Sequence, residues 1–268
     1  MPLMAPAVFL MAVGPVASWK RAALPELWTR LKWAWMVAFV SAMLLPFVLG
    51  KWTPLIALGL LMALWVICAT AAQLWQRLRI APQKGLAARL AAQPASWYGM
   101  SLAHVGIAVF IIGVTMVKGY ETEKDVRMAP GDTVTIGAYD FTFRGATEVN
   151  GPNYVAMQGK VEVRAAGGGP VQRTLFPEKR VYRATQQTMT EADIDWGVTR
   201  DLYVSLGEPV DNGAWGVRVY VKPFIDWIWG GAFLMALGGF LAIGDRRYRF
   251  ATAKTRDRPR FSAEVAGD

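Results

Sequence analysis

Histidine and cysteine are almost absent from this chain, which has one of each, His104 and Cys68. A single cysteine forms no intrachain disulfide, and it excludes Cys-x-x-Cys redox chemistry and thiolate zinc sites within the chain. A single histidine excludes any site that draws two imidazoles from these residues alone. Acidic residues are also scarce, 20 Asp+Glu against 29 Lys+Arg, and charged residues of both signs make up only 18% of the 268. Apolar residues take their place: 54% are hydrophobic, twelve are tryptophans, and the formal net charge is +9. This combination fits an integral membrane protein with basic loops and interfacial indoles, not a soluble enzyme.

Residues 97–117 form an uncharged apolar run of 21 residues, long enough for a transmembrane helix. His104 is its eighth residue, so at roughly 1.5 Å per residue the imidazole lies about 10 Å inside the segment. An ionisable group at that depth is a functional-site candidate by default. Gly99, Gly106 and Gly113 recur every seven residues with Ala103 between the first two. They make a bare face open to another helix or a flat ligand, and His104 is expected to border it.

Other apolar runs cover residues 2–18, 33–50, 53–75 and 223–244, so about five transmembrane helices are expected. The first run carries Pro6 and Gly14-Pro15 and lacks the basic flank of a secretory signal peptide. It starts abruptly, as the beginning of a fragment or split gene product would. Residues 19–32 and 76–96 read as basic loops, the second with Arg77, Arg79, Lys84 and Arg89 and no acid. The only long polar stretch, residues 118–222, balances 13 basic against 14 acidic residues. The positive-inside rule then puts the basic loops and the tail, with Arg246, Arg247 and Arg249, in the cytoplasm, and puts residues 118–222 and the N-terminus outside. The tail, residues 245–268, reads as basic and disordered.

Within residues 118–222, period-two alternation marks strands at 133–136, 140–144, 160–164 and 216–221, punctuated by Pro130-Gly131, Gly151-Pro152, Gly167-Gly168-Gly169 and Asn212-Gly213. The fold class is thus an α-helical polytopic membrane protein with an inserted small all-β domain, a barrel or sandwich. The expected division is a membrane domain over 1–117, the β-domain over 118–222, a last span over 223–244 and the tail.

His104 admits two readings, an interhelical hydrogen bond or an axial haem ligand. A bis-histidine haem needs a second imidazole from elsewhere. Met100 lies one turn away on the same helix and cannot reach the opposite face of the ring. The acidic run 189–195, MTEADID, lacks the spacing of a calcium loop and reads as a solvated turn. Residues 179–183, KRVYR, interleave cations and aromatics; outside the cytoplasm they favour an anionic or extended partner over nucleic acid. Trp19, Trp28, Trp33, Trp35, Trp97, Trp227 and Trp229 sit at or near segment ends and read as interface anchors.

The blocks FLMAVGPVASWKR, SLAHVGIAVFIIGV, EKDVRMAPGDTVTIGAYDFTFRGATEVNGPNY, PEKRVY, MTEADIDWGVTRDLYVSLGE and GAWGVRVYVKPFIDWIWGGAFLMALGG resemble the C-terminal part of the CcmF family, the haem lyase subunits of bacterial cytochrome c maturation. The match runs almost end to end. The resemblance implies a multi-pass inner-membrane protein that takes haem from the chaperone CcmE and joins it to apocytochrome c, beside thioredoxin-like and apocytochrome-binding subunits. It also implies a membrane haem b between two histidines, with His104 as the second. The family's other membrane histidine, its tryptophan-rich segment and the histidines that grip incoming haem belong to an N-terminal part. The chain is accordingly expected to work only beside an N-terminal CcmF-like partner, as part of a haem lyase complex. Two other readings stand beside this one: a non-catalytic scaffold whose β-domain recruits cytochrome c assembly partners, and a membrane sensor or permease accessory without haem.

Overall fold

The structure, a computed structural model, describes residues 4–17, 23–79 and 85–245. Six α-helices appear among them: α1 (Met4–Val13), α2 (Leu24–Val48), α3 (Pro54–Arg79), α4 (Leu86–Ala91), α5 (Ala95–Tyr120) and α6 (Asp226–Ile243). Four of these, α2, α3, α5 and α6, are long and apolar enough to cross a membrane; α1 is apolar but shorter. Parts of both expected basic loops are helical. α2 begins at Leu24, with Glu26 and Arg30 paired one turn apart at 2.5 Å, and α4 occupies the middle of the second loop. Polar residues extend these helices past the apolar runs because backbone hydrogen bonding continues where hydrophobicity stops. Lys20, Arg21, Lys84 and the tail from Arg246 onward lie outside the described residues.

The chain divides into two compact units, and the division falls inside α2, α3, α5 and α6. In the first (Met1–Ser41, Leu61–Ala108, Gly230–Asp268), α1 packs on α2 and α3 through three rings. Phe9 stacks on Trp65 at 5.6 Å and meets Trp35 edge-on at 5.8 Å, while Trp35 and Trp65 form a T-shaped pair at 5.3 Å. The Trp65 Nε1–H donates to the Phe9 carbonyl (3.1 Å) and Gln73 Nε2 donates to the Pro15 carbonyl (3.0 Å). The second of these bonds satisfies a carbonyl of the Gly14–Val16 turn, where proline interrupts the helical ladder. Trp35 is therefore part of an interior aromatic cluster instead of an interface anchor, whereas Trp28, Trp33 and Trp229 are exposed.

The second unit (Ala42–Leu60, Val109–Trp229) holds a β-sandwich. One sheet has four strands in the order β1 (Thr122–Met128), β10 (Trp215–Pro223), β9 (Arg200–Pro209), β8 (Asp193–Asp195). The other has six: β2 (Thr133–Ile136), β3 (Tyr139–Asn150), β4 (Tyr154–Ala165), β6 (Glu178–Tyr182) and β7 (Thr188–Glu191) in that order, with β5 (Arg173–Leu175) also on β4. All pairings are antiparallel. The core lies between the sheets, where alternate residues point inward: Phe141 and Phe143 on β3, Val161 and Val163 on β4, Leu202, Val204 and Leu206 on β9, Val217 and Val219 on β10. A bulge between Phe143 and Ala146 bends β3, and Gly145 takes the positive φ (105°) at that point.

Register also orients the sandwich. Thr122, two residues after α5, pairs with Val221, and Arg200 pairs with Pro223, three residues before α6. The start of β9 and the loop joining it to β8 therefore lie at the end of the sandwich from which both helices leave. β10 becomes α6 through Phe224, whose φ of 56° makes the sharp turn and whose ring meets Trp227 edge-on at 5.0 Å.

Two sequence expectations change here. The acidic run 189–195 is not a solvated turn but parts of β7 and β8, because its carboxylates are spent on partners. Glu191 meets Arg180, Asp193 accepts from the Phe176 N–H (2.7 Å), and Asp195 takes both Arg173 and Arg200. The basic-aromatic run 179–183 is largely engaged as well. Lys179 binds Glu208, Arg180 binds Glu178 and lies 4.5 Å over the Tyr154 ring, and Arg183 donates to Asn150.

Candidate functional site

His104 sits near the middle of α5, half-buried. Its Nδ1 lies 2.7 Å from the Met100 carbonyl oxygen one turn back. A carbonyl only accepts, so Nδ1 carries the proton and donates, which leaves the lone pair on Nε2. Ligating imidazoles are commonly held in this way: the bond fixes tautomer and ring orientation and raises the basicity of the other nitrogen. Nε2 is thus the nitrogen this arrangement leaves available to coordinate a metal.

The glycine face does not belong to that site. A Cβ built on Gly99 would lie 2.5 Å from the Gly238 carbonyl and 2.6 Å from the Ala242 nitrogen; one on Gly106 would lie 2.7 Å from the Met235 nitrogen and 2.8 Å from the Gly231 carbonyl. In the second unit, one on Gly113 would meet the Ile228 nitrogen at 2.8 Å. The bare face of α5 is thus filled by backbone of another helix, α6, and not by a flat ligand. At 100° per residue, His104 lies about 140° around the helix from Gly99, so it does not border that face.

Spacing places Trp97, Ser101 and His104 on one face of α5, at i, i+4 and i+7. Trp97 is buried beneath the Arg77 guanidinium, 5.3 Å from its ring centroid, so it is no interface anchor. The Trp97 Nε1 and Ser101 Oγ are buried with no hydrogen-bond partner among the described residues. Two unpaired polar atoms on the histidine's face are costly in an apolar setting. The i, i+4, i+7 spacing was the signal for them in the sequence, masked there by the more conspicuous glycines. No group of three His, Cys, Asp or Glu that could hold a metal occurs among the described residues.

A family model described as CcmF C-terminal beta-sandwich matches residues 119–223, the sandwich itself. The cytochrome c-type biogenesis protein CcmF of Pseudomonas aeruginosa is 43% identical over 100% of this chain, which covers 39% of that protein. CcmF of Escherichia coli K12 is 40% identical over 96% of this chain and 38% of its own length. A solved structure titled cytochrome c heme lyase CcmF shares the fold with a TM-score of 0.72 at 19% identity, over 91% of this chain and 39% of that one. The chain spans about two fifths of the length of these relatives. It belongs to the CcmF family of cytochrome c-type biogenesis proteins and matches their C-terminal part.

Proposed function

We propose that the chain serves cytochrome c biogenesis as the C-terminal portion of a haem lyase, with His104 as one axial ligand of a membrane b-type haem. The observation that carries this reading is the Nδ1–H···O=C bond to Met100, which leaves Nε2 as the ligating nitrogen of the one histidine present. The chain's share of the site is then to hold that imidazole at fixed tautomer and angle on a rigid span. On the other side of the helix the glycines lie against α6 backbone. A haem bound there would supply one-electron chemistry for reducing incoming haem iron. An N-terminal CcmF-like half would bring the second histidine and the grip on substrate haem. CcmE, apocytochrome c and its thioredoxin-like and binding subunits would be the partners on the sandwich side. The charge pattern orients the chain in an inner membrane with the N-terminus and sandwich periplasmic and the C-terminus cytoplasmic.

Co-expression with an N-terminal half and an absorbance scan test the proposal. Wild type should show reduced b-type bands, and His104→Ala should lose them while the sandwich keeps its thermal transition. A spectrum unchanged in His104→Ala would sink the assignment.

A further inference from the structure

The four residues joining β8 to β9, Trp196 to Thr199, expose two large apolar side chains: Trp196 is 77% and Val198 75% accessible. Between them Gly197 turns the backbone inward. Its N–H donates to Asp201 (3.1 Å), and a Cβ there would strike the Arg200 carbonyl at 2.7 Å. The loop is fixed to the first turn of α6, since Trp227 Nε1–H donates to the Val198 carbonyl (2.9 Å) and the Phe224 N–H to the Thr199 carbonyl (3.0 Å). α6 is long and apolar enough to cross a membrane, and its first residues are Asp226 and Trp227. The loop therefore stands at the level where that span enters the interfacial layer, and an exposed Trp-x-Val there has an apolar medium available to it.

Beside the loop lies a cavity of about 530 Å³ lined by Tyr139, Arg173, Asp195, Trp196, Thr199 and Arg200, among others. Arg200 is immobilised: it donates to the Asp195 carboxylate (2.6 Å) and to the Tyr139 hydroxyl (2.9 Å). Arg173 meets the same carboxylate through Nε (2.9 Å), and its side chain is 66% exposed. Two guanidiniums face one carboxylate in the lining, and the terminal N–H groups of Arg173 remain as donors in the planar fork that suits a phosphate.

We propose that this loop and cavity form a phospholipid headgroup site, with Trp196 and Val198 seated in the interfacial layer and Arg173 binding the phosphate. The site is independent of the haem assignment. It joins the sandwich to the bilayer at a third point besides the ends of α5 and α6.

The full chain in nanodiscs of phosphatidylcholine with phosphatidylglycerol tests this. A spin label on Trp196→Cys, in a Cys68→Ser background, should report a depth at the phosphate layer, while one on Asn212→Cys at the far end of the sandwich should be fully aqueous. Native mass spectrometry should find Arg173→Ala retaining phosphatidylglycerol about fivefold more weakly, the scale of one basic residue near a membrane surface, with Arg173→Lys, which keeps the charge without the fork, restoring only part of it. An aqueous label at 196, equal retention in Arg173→Ala, or displacement of the lipid by millimolar inorganic phosphate would each overturn the proposal, the last by pointing to a free-anion site.

Discussion

Replacing Gly106 by alanine tests the packing on which the placement of His104 depends. The new Cβ would stand 2.7 Å from the Met235 nitrogen, 2.8 Å from the Gly231 carbonyl and 3.0 Å from the Leu234 Cβ. Two of the three atoms are α6 backbone, which cannot rotate away, and the shortfall from ordinary contact is about 0.4–0.7 Å, so relief requires the helices to part. Overpacking of this kind costs about 1–3 kcal/mol, and the gain of alanine over glycine within a helix offsets about 1 kcal/mol of it. Gly230 on α6 is the control, because a Cβ there meets nothing within 4 Å, so Gly230→Ala keeps the propensity gain without the clash. Unfolding by SDS titration in mixed micelles should then place Gly106→Ala below Gly230→Ala by about 1–3 kcal/mol, roughly a five- to hundredfold shift in the folded population. Equal stability of the two variants would refute the reasoning, since it would mean that α6 does not lie against the glycine face.

Phe143 is fully buried between the sheets, so Phe143→Ala should cost about 3–5 kcal/mol, read as a drop of more than about 10 °C in the thermal transition of the sandwich; an unchanged transition would deny the shared core. Burial pushes the Asp201 carboxyl up, and Asp226 and Asp195 push the same way against the Gly197 N–H and Arg200. Between the usual carboxylate pKa and that raised value, the folded chain holds more proton than the unfolded one, so this group's contribution to stability falls as pH rises through the window. Asp201→Asn, which keeps an oxygen for the Gly197 N–H, should remove that slope, measured as the mutant-minus-wild-type difference in melting temperature between pH 4 and 7; a constant difference would contradict it.

Strands with one clean buried face are legible in the sequence: alternation marks β2 over its full span and parts of β3, β4 and β10. β1 is not, because its sequence TEKDVRM has only Met128 buried at its end. It is held at the sheet edge by cross-strand pairs, Asp125 with Arg218 at 2.6 Å and Glu123 with the Tyr220 hydroxyl at 2.7 Å. Charge pairing across a ladder leaves no hydrophobic period to read. The acidic run 189–195 misled for the same reason, since the cations that answer Glu191 and Asp195 come from other strands. Short β5 and β8, three residues each, carry too few positions to show any period.

Gly99, Gly106 and Gly113 stand at seven-residue spacing, as do Gly231 and Gly238 in α6, yet the sequence does not show which surfaces they join, because a small-residue face suits any close neighbour. Pairing them with each other settles more than helix packing. One α5 side is closed by α6 backbone at distances that admit no Cβ, and a porphyrin, no thinner than one carbon atom and far wider, does not enter there either. Any cofactor ligated by His104 must then approach from the far side of the helix. There Trp97 Nε1 and Ser101 Oγ are already covered by this chain's own atoms, Trp97 lying beneath the Arg77 guanidinium, with no hydrogen-bond partner among the described residues; their lost hydrogen bonds are a standing cost of the fold, and what that face offers a ligand is His104 Nε2.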